Sequence, residues 1–305
     1  MNTKIALIGV TGKKSGGAFA RQILEHLDVI KKMFPGGIKV IARKASETQN
    51  IKALLPAVEL CYLNEGQNSF FNILSDVDTV INIAGISIST EIAEAAAQNG
   101  VRRLILVHTT GVYSKYKAAG ELYRKIDKAV CEICQSNGIV LTICRPTMIY
   151  GNIYDNNVVK FIKMVDRFPV MPVVKGARFK LQPVHYEDLA KAYYDILVNE
   201  DKTANKAYNL SGGAPIFLRD MLTTIGANLG KKVRFFSCPF WIAYSGAWML
   251  YLVSFGKKDY REKVQRLCED RTFSYEEARA DFGYAPRTFE EGVTAEVNQY
   301  KESKT

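Results

Sequence analysis

"KIALIGVTGKKSGGAFARQILEHLDVI", residues 4–30, changes its periodicity once, and a cluster of glycines sits at the change. "KIALIGV" is a short continuous apolar run, the pattern of a strand buried on both faces. "AFARQILEHLDVI" spaces its apolar residues as an amphipathic helix does. Gly9, Gly12 and Gly16 lie between the two. Glycines in this place let the chain turn tightly and let its backbone approach a pyrophosphate, which the free amides of the helix N-terminus then receive. The spacing carries one residue more than Gly-x-x-Gly-x-x-Gly. Lys13, Lys14 and Ser15 fill the gap and, with Thr11, complete the expected phosphate-binding turn. The two lysines either touch phosphate or extend into solvent.

The same alternation continues downstream. "IKVIARK" and "AVELCYL" read as a second and third strand, and "VDTVINIAG" as a fourth. "STEIAEAAAQNG" is a helix with a Ser/Thr start and a glycine stop. "RLILVHTTG" is a fifth strand, residues 116–137 the next helix, and "IVLTICRP" a sixth strand. Strands alternating with helices at this spacing predict an α/β fold with a parallel sheet covered on both faces. With the glycine turn after the first strand, the expectation is a Rossmann-type doubly wound sheet.

Beyond Pro146 the alternation weakens. "HYEDLAKAYYDILVN" is a further amphipathic helix, and "NKAYNLSG" reads as a late strand returning to the sheet. The expected division is a dinucleotide-binding domain over 1–150, whose core also takes in about 183–211. A smaller mixed substrate lobe then covers 151–182 and 212–305.

A chain of 305 residues with 48% apolar and 24% charged residues has ordinary globular composition. Its net charge of +10 is spread in Lys/Arg pairs, with no single basic arm of the kind that grips nucleic acid. Such a field favours anionic small molecules or an anionic membrane surface, and solubility alone explains it equally well. Six irregularly spaced cysteines do not form a secreted disulfide framework, and the Cys131-x-x-Cys134 pair lacks partners for a zinc site. The apolar run after Lys4 goes straight into the glycine turn and leaves no room for a signal peptide, so a cytoplasmic location is expected. Residues 235–256 contain no charge, yet Pro239, Gly246 and three serines make them a poor membrane span. They read either as a buried cap helix or as an interfacial helix making peripheral membrane contact.

A nucleotide site needs a partner for the ribose at the end of the second strand. An acidic residue there favours NAD, and a cation accommodates the 2′-phosphate of NADP. Here "VIARKAS" offers Arg43 and Lys44, which favours NADP(H) over NAD(H); an exposed Arg-Lys pair in a turn is the alternative.

"GVTGKKSGG", "VINIAG", "RLILVHTTGVY", "CRPTMIYG", "QPVHYEDLAKAY" and "YNLSGG" follow in this order. By these motifs the chain resembles the short-chain dehydrogenase/reductase superfamily, on its extended or atypical branch near the NAD-dependent epimerase/dehydratases. "FSYEEARADFGYAPRTFEEGV" resembles the C-terminal piece of nucleotide-sugar epimerases. The resemblance implies a nicotinamide cofactor across the sheet and a lobe that holds a small-molecule substrate, often a nucleotide sugar. It also implies that Gly9, Gly12 and Gly16 hold the diphosphate and that Ala84 and Gly85 line the adenosine ribose and phosphates. Thr109 falls on the catalytic Ser/Thr, and Pro146 and Thr147 on the nicotinamide end. The helices at 90–99 and 116–137 form a homodimer face in many relatives.

The family's chemistry also uses a Tyr-x-x-x-Lys helix, whose tyrosine moves a proton while the lysine lowers its pKa and binds the nicotinamide ribose. Alignment of "DKAVCE" puts Lys128 on that lysine, but the tyrosine slot falls on Arg124, which cannot give up its proton. Tyr123 lies five residues from Lys128, roughly 140° away around the helix. Tyr113 and Lys117 make a literal Tyr-x-x-x-Lys, read as a decoy because it begins only four residues after Thr109. Tyr116, Tyr123, Tyr150 or water remain as acids. The pairs Glu121–Lys125 and Lys128–Glu132 equally describe an exposed helix without chemistry. Two function classes follow. One is an NADP-dependent oxidoreductase or nucleotide-sugar epimerase-like enzyme with a non-standard Tyr/Lys helix. The other is a cofactor-holding regulator, assembly factor or scaffold that kept the fold and lost the reaction.

Overall fold

The structure, a computed structural model, describes residues 3–43, 46–63, 69–116, 120–168, 170–257, 259–266 and 268–304. Seven strands make one parallel sheet: β1 Lys4–Ile8, β2 Gly37–Arg43, β3 Glu59–Leu63, β4 Thr79–Asn82, β5 Arg103–Val107, β6 Val140–Pro146 and β7 Ala207–Leu210. Their order is β7-β6-β5-β4-β1-β2-β3. The chain winds outward from β1 in one direction and resumes from β4 in the other. The crevice for a ligand therefore opens above the carboxyl ends of β1 and β4.

Both faces of the sheet are buried, which is why its strands read as unbroken apolar runs. Along β1, Ile5 and Leu7 enter the core on one face, and Ala6 and Ile8 enter the core on the other. Helix α1, Ser15–Glu25, lies on the first face beside a later helix, Tyr186–Val198. On the second face lie α2, Ser89–Asn99, and α3, Gly120–Ser136. Gly100 ends α2 in the left-handed region at φ +66°, as the sequence predicts for a glycine stop.

A third core gathers Tyr150, Ile162, Met171, Leu181, Leu222, Phe289 and Val297. It lies among the helices α4 Val158–Arg167, α6 Leu218–Leu229 and α8 Phe289–Glu302, where α5 denotes Tyr186–Val198 and α7 Phe240–Val253. Short ladders stitch this region together, the longest pairing Val170–Val174 with Arg234–Cys238 in parallel. Part of the stretch expected in the lobe instead packs against the sheet's first core, through Ala278 and Tyr284. Asn152 Nδ2 donates to the Lys13 carbonyl at 3.0 Å and so ties this third region to the glycine turn.

Arg103 opens β5 with a side chain only 1% exposed. Its guanidinium donates to the carbonyls of Leu197 and Ile196, each at 2.8 Å, and to Thr203 Oγ1 at 3.2 Å. It therefore satisfies carbonyls at the end of α5, which lack partners within the helix. We expect Arg103→Met to strand these buried acceptors and cost about 3 kcal/mol. Urea unfolding would read this as a lower midpoint at unchanged slope, and a loss below about 1 kcal/mol would contradict the assignment.

Candidate functional site

The glycine turn is set by close backbone approaches. Gly9 has φ +86°, and a Cβ on it would lie 2.5 Å from the Ala84 amide nitrogen. Gly12 N donates to the Gly9 carbonyl at 3.3 Å. A Cβ on Gly16 would meet that carbonyl oxygen at 2.1 Å, and one on Gly17 would lie 2.4 Å from the Gly12 oxygen. The extra residue is accommodated by starting α1 at Ser15, which is buried. Gly16 and Gly17 then press the first turn of α1 onto the loop. Thr11 is held through its carbonyl, which accepts from Asn50 Nδ2 at 3.0 Å. On the neighbouring turn, fully buried Asn82 accepts from Ala84 N and donates to the Gly85 carbonyl, both at 3.0 Å.

The two lysines of the turn diverge. Lys13 pairs with Glu47 at 3.0 Å and lies 4.8 Å over the Tyr154 ring. Lys14 lines a cavity that Thr109 also borders. Arg43 ends β2 exposed, without an ion-pair partner among the described residues. Lys44 lies outside the described residues, as does Lys117.

The cavity, about 410 Å³, runs from Lys14 past the carboxyl ends of β5 and β6 to residues 266–273. Thr109, Pro146 and Thr147 all line it. Thr109 Oγ1 accepts from Gly111 N at 3.0 Å, which leaves its own proton to donate. Thr110 Oγ1 donates to the Pro146 carbonyl at 3.2 Å, tying β5's end to β6's.

The sequence reading missed a buried chain beside Thr109. His108 Nε2 meets Ser89 Oγ at 3.0 Å and its Nδ1 meets Asp127 Oδ1 at 2.5 Å. The other oxygen of Asp127 accepts from Arg145 Nη2 at 2.7 Å. Burial opposes ionisation of Asp127, but the hydrogen bonds from His108 and Arg145 outweigh it and hold the carboxyl below its usual range. A histidine at the end of an otherwise apolar strand was the available signal.

This chain fixes the rotation of α3 and with it the position of Lys128. Asp127 faces the sheet, and Lys128, roughly 100° further round, is 77% exposed and pairs with Glu132 at 3.7 Å. Neither Lys128 nor half-buried Tyr123 lines the cavity. Arg124, in the tyrosine slot, donates to the Val112 carbonyl at 3.0 Å. Tyr150 is fully buried and donates to the Thr288 carbonyl at 3.0 Å, and Tyr116 does not line the cavity. Among the described residues the one tyrosine that does is Tyr113, with Arg145 5.8 Å from its ring centre. His185 and Asp188 serve structure. His185 caps α5 and is pushed down to about 4 by burial, and Asp188 accepts from Arg287.

Two further cavity residues had no sequence signal. Arg266 and Arg271 each carry a buried Nε with no hydrogen-bond partner. Burial, then the neighbouring Arg266 charge, push Arg271 down to about 10. Nearby Glu269 is already engaged, accepting from Ser114 Oγ at 2.7 Å and Lys115 N at 3.0 Å.

The lowered pKa of Asp127 gives a signed expectation. The pairing stabilises the fold fully above the unfolded-state value of about 4 and fades as pH falls through the lower folded value. Asp127→Asn should lose about 2–3 kcal/mol at pH 7 and show a flatter stability profile in acid. Parallel wild-type and variant curves below pH 5 would contradict it.

No family model matches the chain, and no curated protein sequence does. Solved structures match over nearly its full length. The crystal structure of gox2253 superposes with a TM-score of 0.74 at 18% identity, covering 99% of each chain. The UDP-glucuronic acid 4-epimerase from Bacillus cereus, with UDP-glucuronic acid and NAD, gives 0.70 at 14%, covering 99% of this chain and 100% of that one. The dTDP-glucose 4,6-dehydratase DesIV from Streptomyces venezuelae, with NAD and TYD bound, gives 0.70 at 16%, covering 99% and 98%. The chain has the Rossmann-type fold of the NAD-dependent epimerases and dehydratases.

Proposed function

We propose that the chain binds NADP(H) across the carboxyl ends of β1 and β4 and acts on an anionic sugar substrate of the nucleotide-sugar class. The observation that carries the substrate half is the pair Arg266 and Arg271, lining the cavity with Nε donors that no protein group satisfies. Buried guanidinium donors are costly unless an acceptor meets them, and a diphosphate supplies several. Lys14 adds a third cation to the lining of the same cavity. The NAD and UDP-glucuronic acid held by the epimerase of the same fold support the reading.

The cofactor half rests on the glycine turn. Its backbone leaves no room for side chains at Gly9 or Gly16, as a turn that receives a pyrophosphate requires. Gly12 and Ser15 complete it, Ala84 and Gly85 form the adjoining wall, and Arg43 takes the 2′-phosphate. A nicotinamide cofactor, when bound, supplies hydride transfer. Thr109 would hydrogen-bond the substrate oxygen through its free hydroxyl, keeping its proton, and Tyr113 would be the side-chain acid within the cavity. Pro146 and Thr147 close the nicotinamide end.

A second reading is a cofactor-binding regulator or scaffold. The observation favouring it is that α3 offers the cavity neither a lysine nor a tyrosine. Both readings require dinucleotide binding, so titration with NADPH and NADH comes first. Arg43→Ala should weaken NADPH roughly tenfold and leave NADH unchanged; an unaltered preference removes Arg43 from the site. Arg271→Ala should weaken binding of UDP and UDP-glucose roughly 10- to 100-fold without changing NADPH affinity. Absorbance assays with nucleotide sugars and ketones then separate the classes. Turnover abolished by Thr109→Ala supports the enzyme, and tight NADPH binding without turnover supports the binder.

A further inference from the structure

The helix α7 presents a surface that the proposed reaction does not use. Residues 235–256 carry no charge, and of the fourteen residues of α7 only Ala247 is buried. Phe240, Ala243, Tyr244, Ala247 and Tyr251 recur at helical spacing and are its least exposed positions, so they mark the face turned to the protein. The outward face of a surface helix is ordinarily charged. Here it carries Trp241 (69% exposed), Trp248, Met249, Leu252 and Val253 (74%), and Phe255 follows at 92%.

Charge brackets this apolar face on both sides. Lys231, Lys232 and Arg234 precede it, and Lys257, Arg261 and Lys263 follow. Among the described residues Lys232, Arg234, Lys257 and Lys263 are exposed and have no carboxylate partner. The adjacent acids are engaged, Asp259 with Arg261 at 2.7 Å and Glu262 with Arg266 at 3.8 Å. At 1.5 Å per residue α7 is about 21 Å long, short of the ~30 Å hydrocarbon core. Among the described residues no helix is long and apolar enough to cross a membrane.

We propose that α7 docks this protein on an anionic bilayer surface. The helix lies in the plane of the interface with Trp241 and Trp248 at headgroup level, and the flanking cations meet the lipid phosphates. A second copy of the chain fits the same face less well, because two such faces bring like charges together. Helix α7 packs on the short helix Arg261–Arg266, which ends in a residue of the cavity wall. Docking therefore holds that wall next to the membrane.

Trp241 and Trp248 are the only tryptophans of the chain, so its intrinsic emission reports on α7 alone. Full-length protein is mixed with vesicles of phosphatidylcholine, with or without phosphatidylglycerol. The expected result is co-sedimentation with the anionic vesicles, a blue shift of emission and quenching by brominated lipid, all weakened by salt. Met249→Glu with Val253→Glu keeps both reporters and substitutes two exposed positions. It should reduce vesicle binding at least tenfold with an unchanged thermal melt. Lys232→Glu with Lys257→Glu should remove the preference for anionic vesicles. Absence of binding to either vesicle overturns the proposal. So does a lipid-free dimer that the Met249/Val253 variant converts to monomer.

Discussion

The contact between the backbone of Gly9 and that of Ala84 is the constraint on which the rest of the site depends. These residues follow β1 and β4, the two central strands at which the winding reverses. Any side chain at Gly9 would collide with the amide of Ala84, and any at Gly16 with the carbonyl of Gly9. Three backbone segments can therefore meet only where side chains are absent. Once they meet, the amino end of α1 points into the crevice, Lys14 falls on the cavity's edge, and Asn82 holds the opposing turn. Asn152 reaches the same turn from the third core, so the lobe is positioned against it as well.

A second constraint decides which face of α3 looks inward. The ion pairs along its outer surface, Glu121–Lys125 and Lys128–Glu132, are exposed and contribute a few tenths of a kcal/mol each, roughly. Leaving the Asp127 carboxylate buried without His108 and Arg145 would cost several kcal/mol, roughly ten times more. The buried pairing wins, and it carries Lys128 out to solvent. Matching "DKAVCE" by residue type could not anticipate this, because the rotation is set by His108 on β5's end and Arg145 on β6.

Much of the fold was legible for a simple reason. A parallel sheet buried on both faces needs continuous apolar strands, and "KIALI", "TVIN" and "RLILV" are such runs. The late strand at 207–210 was readable from the same signal and pairs with β6. Within the site, Gly9, Thr109, Pro146 and Thr147 lie at strand ends, and Gly12 and Gly16 in the turn and helix start that follow β1, where topology alone fixes their neighbourhood. That Tyr113 lines the cavity could not be read, because it stands on a short 3-10 turn, whose direction spacing does not encode. Arg266 ends the six-residue helix Arg261–Arg266 and Arg271 lies outside any helix beyond it, too short a pattern to read as periodicity. Ala278 and Tyr284 fall within the stretch expected for the lobe yet pack on the sheet, since helix Glu276–Phe282 returns beside β7 and the short helix Glu200–Thr203.

The charge arrangement of the cavity narrows what it can hold. Its wall contains two acids as well as three cations, so the total alone would not favour an anion. The acids, however, are spent on structure. Glu269 fastens residues 266–273 to the end of β5 through Ser114 and Lys115, and Asp270 accepts from Lys180 N at 2.8 Å. The arginines keep buried donors with no acceptor. A cationic ligand would have to displace those hydrogen bonds to reach a carboxylate. An anion meets donors that no protein group satisfies, and it relieves the repulsion between Arg266 and Arg271. Ser114 and Lys115 follow β5, whose end carries Thr109, so the arginine-bearing segment and Thr109 are held by a single connection.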